Sequence, residues 1–133
     1  MWGGGPPAGL VVTGGRLTAH GVMFYVKGNG IVDLGGGGII DITPSEDESN
    51  PYWGISIFQA RGNYSEAKIT GNGTMNLEGT YYFPVAPVEI GGEGISLGNQ
   101  LIAWTLYMHG TGTFTVQYDG RFPAPGTKVF LVQ

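Results

Sequence analysis

Only one stretch of this chain gathers carboxylates: Ser45-Glu46-Asp47-Glu48-Ser49-Asn50. Glu46, Asp47 and Glu48 together could supply part of the oxygen shell that Ca²⁺ requires. Their spacing departs from the D-x-[DN]-x-[DN]-G order of a dedicated calcium loop, and a solvated loop bulging from the fold accounts for the run better. Asp33, Asp41 and Arg61 are the nearest approach to a lyase set, with carboxylates to hold Ca²⁺ and a base to take a proton. Two acids and an arginine arise by chance on any β surface, so a Ca²⁺-dependent polysaccharide lyase is the least favoured function. His20 and His109 each adjoin a glycine and have no second ligand at metal spacing. The sequence holds no Gly-x-Ser-x-Gly, Walker or serine–base arrangement, and no helix follows the four glycines 35–38 to cradle a phosphate. The chain reads as non-catalytic, and no cofactor is expected. The aromatics Phe24, Tyr25, Tyr52, Trp53, Tyr81, Tyr82, Phe83, Trp104 and Tyr107 could form a sugar-binding stripe, with Tyr25, Tyr81 and Tyr107 as candidate exposed ligands. Rings of this kind more often stack in ladders along a solenoid.

Short β-strands must position these groups, because strong helix formers are sparse and glycine recurs too often for a helix to offset its cost. Apolar runs of three to six residues recur at Leu10–Thr13, Val22–Val26, Ile31–Leu34, Ile39–Ile42, Ile55–Phe58, Lys68–Thr70, Thr74–Leu77, Thr80–Phe83 and Val88–Ile90. Leu101–Met108, Thr113–Tyr118 and Lys128–Val132 complete the set. In residues 31–34 and 39–42 an aspartate alternates with aliphatic neighbours, the period of a strand with one buried face. The connectors are Gly-Gly, Gly-Asn-Gly and Gly-Thr-Gly, which suit the corners of a solenoid better than the hairpins of a sandwich.

Weak repetition points the same way. Residues 17–25 (L-T-A-H-G-V-M-F-Y) and 75–83 (M-N-L-E-G-T-Y-Y-F) share an apolar residue four before Gly and an aromatic pair after it. Gly54-Ile55-Ser56-Ile57-Phe58 repeats the element. The anchors Gly21, Gly54 and Gly79 are 33 and 25 residues apart, and the longer interval holds an insertion, Thr43 to Pro51. Without it the period is about 20–25 residues, which predicts an all-β, right-handed parallel β-helix of about six short coils.

Composition narrows the partners. Glycine supplies 26 of 133 residues, roughly three times its usual share, yet without the Gly-X-Y period of collagen. Hydrophobic residues make up 41%, too many for a disordered coil. A net charge of −4 with six scattered basic residues excludes a nucleic-acid surface. No run reaches the ~18 apolar residues of a membrane helix, and the first residues do not read as a signal peptide. Cysteine is absent, so disulfides and thiolate metal sites are too.

The segments G-I-S-I-F-Q-A-R (54–61), I-T-G-N-G-T-M-N-L-E-G-T-Y-Y-F-P (69–84), V-E-I-G-G (88–92) and Q-L-I-A-W-T-L-Y-M-H-G (100–110) follow one another in order. With G-V-M-F-Y-V-K-G-N-G (21–30), this order resembles the glycine-rich region of tight-adherence pilus-assembly proteins of the TadG type. The resemblance spans about residues 10–116; Gly-x-Tyr-Tyr-Phe-Pro and Phe-Gln-Ala-Arg are its specific parts. It implies a parallel β-helix on a bacterial envelope protein, extracellular or at the cell surface, with an adhesion or assembly role and no catalytic residues. The chain departs from the pattern in lacking an N-terminal membrane anchor and in carrying Ala60 and Trp104 where the family usually has aspartate.

The ends shape the functional expectation. Residues 1–9 read as a flexible or inter-subunit segment, 10–122 as the β-helix, and 123–133 as a Pro/Gly hinge with a terminal strand. A β-helix leaves strand edges open at both ends unless they are capped, and no amphipathic cap is legible. Leu10, Val11 and Val12 at one end, and Val129, Phe130, Leu131 and Val132 at the other, are the expected assembly residues. The terminal strand would close its own helix or add to a neighbour. The expected function is a structural surface module that self-assembles into a homo-oligomer or fibre, with a carbohydrate-binding adhesin as the alternative.

Overall fold

The computed structural model describes residues 9–71, 74–92, 95–110 and 114–117. They form an all-β, parallel β-solenoid of about four turns. The expectation of six coils divided the length by a uniform period, whereas the second coil spends 35 residues between Val32 and its stacked partner Ala67.

Among the described residues ten strands carry the coils: β1 (Gly9–Val12), β2 (Arg16–His20), β3 (Phe24–Val26), β4 (Ile31–Leu34), β5 (Ile39–Thr43), β6 (Ile55–Gln59), β7 (Ala67–Ile69), β8 (Thr74–Ile90), β9 (Ile95–Met108) and β10 (Phe114–Gln117). Every pairing is parallel. Three faces result. The first stacks β1, β4, β7, the end of β8 and the end of β9. The second stacks β2, β5, the start of β8, the start of β9 and β10. The third stacks β3, β6 and the middles of β8 and β9. Strands β8 and β9 therefore bend through all three faces without a break, where the sequence suggested separate runs. Strand β2 was missing from the expected strands, because Arg-Leu-Thr-Ala-His offers only two apolar side chains.

Alternation sends one set of side chains inward, and stacking turns that set into columns. Leu10, Val32, Ala67, Val88 and Leu106 form one column of the first face; Val12, Leu34, Ile69, Ile90 and Met108 form the next. Ala19, Ile42, Leu77, Leu97 and Val116 run up the second face. Phe24, Ile57, Tyr81 and Leu101 run up the third. The middle members of these columns are almost completely buried, each valine, leucine or isoleucine among them contributing about 1.5–3 kcal/mol of hydrophobic stabilisation.

The corner between the second and third faces bears out the repeat. Gly21, Gly54 and Gly79 all sit there with φ of +74°, +83° and +90°, a region that L-residues with a Cβ avoid. The 25-residue interval between the last two anchors becomes a 24-residue step from Phe58 to Tyr82, because a bulge between Ile55 and Ile57 absorbs one residue.

A polar knot holds the corner between the third and first faces. Buried Gln59 donates from Nε2 to the carbonyls of Asn63 and Ser65, and buried Asn63 donates from Nδ2 to the Gly30 carbonyl one coil below, at 2.8 Å. These bonds anchor the 60–66 loop to the first coil and satisfy carbonyls that the interior would otherwise orphan.

Candidate functional site

The titratable side chains meet across coils. His20 Nε2 lies 2.9 Å from Asp41 Oδ2, and Asn76 Nδ2 donates to Asp41 Oδ1 at 2.8 Å. His109 Nε2 lies 2.7 Å from Glu89 Oε2, its ring passing over Gly91, where a Cβ would displace it. Both histidines thus find a carboxylate about one coil away, a relation that sequence spacing showed only once the register was known. One pair ties the first coil to the second; the other ties the end of β9 to β8. The bonds from His20, and then from Asn76, hold the Asp41 carboxyl below its ordinary range.

A depressed carboxylate stabilises the fold above its unfolded pKa, and that stabilisation is lost as pH falls through the folded value. His20→Ala should therefore raise the Asp41 pKa toward the ordinary carboxylate range, as read from its side-chain carbon by NMR titration. An unshifted Asp41 would mean that the pair does not form in solution.

The lyase candidates do not converge. Asp33 and Asp41 both point outward, as alternation predicted, but β4 and β5 lie on different faces and do not pair. Of the acidic run, Asp47 turns to Ser49, accepting hydrogen bonds from its amide at 3.0 Å and its hydroxyl at 2.7 Å, which lower its pKa. Glu46, Asp47 and Glu48 belong to the insertion between β5 and β6, and among the described residues no three His, Asp or Glu side chains gather in a metal-holding group.

The aromatic candidates divide by face. Tyr25 and Tyr107 are exposed, at 56% and 63%. Tyr81 is wholly buried and is corrected from ligand to core: it stacks between Ile57 and Leu101 on the inward side, while Tyr82 stacks on Phe58 on the outward side. Burial pushes the Tyr81 phenol far above its usual pKa, with Glu78 adding to the rise. Its hydroxyl lies beside Ser56 but makes no hydrogen bond of good geometry; Ser56 itself donates to the Glu78 carbonyl. Outside, Tyr25, Phe58 and Tyr82 make a ladder with ring centroids 5.6 and 4.8 Å apart, and Tyr52 meets Phe58 edge-on. Phe58, absent from the expected stripe, is its middle rung.

The ends of the stack are the other departure from a closed fold. Leu10, Val11 and Val12 lie on β1, which pairs only with β4 among the described residues. Val129, Phe130, Leu131 and Val132 lie outside the described residues. At the far end three inward columns finish exposed: Leu106 at 46%, Met108 at 50% and Val116 at 41%. Trp104 stands beside them at 71%. At the near end a cavity of about 340 Å³ opens between the first and third faces, lined by Leu10, Phe24, Val26 and Lys27 among others.

These features define a parallel β-solenoid with polar and aromatic outer columns, whose last described rung carries exposed apolar side chains. No family model, curated protein or solved structure matches this chain.

Proposed function

We propose that this chain is a non-catalytic structural module of a bacterial surface, which self-associates through the ends of its solenoid. One observation carries the reading: inward columns that are buried through the middle coils finish at Leu106, Met108 and Val116 with nearly half their surface bare. Burying such surface yields about 25 cal/mol per Å², and exposed strand edges supply hydrogen bonds for the same contact. The TadG-type motifs quoted above support an envelope location and an assembly role. The strong preference of parallel crossovers for one hand supports a right-handed coil.

A second reading, carbohydrate binding, is favoured by the outer ladder of Tyr25, Phe58 and Tyr82 with Tyr52 against it. The tilted and edge-on packing of those rings serves the coil stack itself, so this reading comes second. Sedimentation velocity of the full chain over a wide concentration range tests the first: the mass should grow with concentration, and a single species throughout would overturn it.

A further inference from the structure

We infer that the partner at these ends is a second copy of this chain, stacked head to tail in a defined register. Residues 105–108 of β9 lie under β1 of the next copy, and β10 lies under its β2. The inference rests on the self-association proposed above and adds its geometry.

Three observations lead to it. First, the columns continue in kind. Leu106, Met108 and Val116 end the same columns that Leu10, Val12 and Ala19 begin. Placing Leu10 on Leu106 and Val12 on Met108 extends both columns of the first face, and Ala19 then falls on Val116. One translation satisfies two faces because the end of β9 and β10 belong to one coil, as β1 and β2 do.

Second, the end strands lack the protection that natural edges carry. Charged side chains on an edge strand block pairing with another chain. Here β1, β3, β9 and β10 contain no Lys, Arg, Asp or Glu. The charges lie instead on inner strands: Asp33 on β4, Asp41 on β5, Lys68 on β7, and Glu78 and Glu89 on β8. Of the strands that would meet, only β2 is charged, through Arg16 at its first position.

Third, the shapes of the ends correspond. Trp104 immediately precedes the exposed rung 105–108, and the cavity at the other end adjoins Gly9 and Leu10 at the start of β1. Stacking β1 on that rung brings Trp104 to the cavity mouth, against Leu10 and Phe24 of the next copy. A large apolar side chain entering a mostly apolar recess is the kind of anchor that dominates association energies.

The chain contains no cysteine, so introduced thiols report the register without interference. Val11 and Tyr107 both face outward, and in this register they oppose each other across the junction. Neighbouring strands lie about 4.8 Å apart, within the Cα separation that a disulfide spans. Within one molecule β1 and the end of β9 are separated by β4, β7 and β8, about 19 Å at that spacing, so any bond joins different molecules.

Mild oxidation of the Val11→Cys/Tyr107→Cys chain should give a ladder of linked multimers on a non-reducing gel. The Val11→Cys/Thr105→Cys chain, displaced by two residues, should not. Equal linking in both chains, or association by sedimentation with linking in neither, would overturn the register while leaving end association standing. A chain that sediments as a single species, its ends closed by its own C-terminal residues, would overturn both.

Discussion

Gly36→Val is expected to cost the fold about 3–5 kcal/mol, a large share of the ~5–15 kcal/mol that holds a domain together. Gly36 lies at the corner between the first and second faces with φ of +78°, which alone costs an L-residue about 1–2 kcal/mol and a β-branched one more. A Cβ there would also overlap the Thr13 carbonyl of the coil below. Neither coil can yield easily, because Gly35 donates its amide to the Val12 carbonyl at 2.8 Å and Ile39 donates to that of Gly15 at 2.8 Å. Gly37 is the control. A Cβ on Gly37 meets nothing within 4 Å, so Gly37→Val should move the urea midpoint little. Equal losses in the two variants would mean that the corners do not stack as described.

Phe83→Ala should cost about 3–5 kcal/mol, the range for removing a buried aromatic ring. Phe83 is fully buried within the apolar core, and its stacked partner on β9 is only Ala103, too small to fill the space left behind. Its neighbour Tyr82 points the other way, onto the ladder, where a ring pair contributes about 0.5–1.5 kcal/mol beyond its buried area. Tyr82→Ala should therefore lose clearly less in the same urea titration. If Tyr82→Ala proved the more costly, the assignment of inside and outside along β8 would be reversed.

That assignment marks how far sequence reading reached. The coil principle was legible from short runs with glycine punctuation, and Asp33 and Asp41 were placed outward by their aliphatic neighbours. The corner role of Gly21, Gly54 and Gly79 followed from the repeat, because only glycine takes those φ values cheaply. The choice between Tyr81 and Tyr82 was not legible: a shift of one residue exchanges the two faces of a strand, and adjacent tyrosines in an apolar run carry no mark of which one turns inward. The pairs His20–Asp41 and Glu89–His109 were hidden for a related reason. Their residues are 21 and 20 apart, and only a register accurate to one residue brings them together. The Gln59–Asn63 knot was visible only as the Phe-Gln-Ala-Arg motif, whose amide could not be assigned a carbonyl partner before the loop was seen. Leu10, Val11 and Val12 were expected as assembly residues and lie on β1, whereas Leu106, Met108 and Val116 read as ordinary core positions and are exposed.

The claim most exposed to test is that apolar columns left bare at one end of the solenoid are completed by another molecule. Sedimentation velocity on the wild-type chain beside Leu106→Asp addresses it directly. Leu106 stacks on Val88 and is 46% exposed, so a carboxylate there should spare the coil while placing a charge in the junction, where burial without a partner is prohibitive. Mass that climbs with concentration for the wild type, and stays at one chain for a folded Leu106→Asp, is the predicted result. Identical behaviour of the two chains, whether both remain single or both associate, would contradict it.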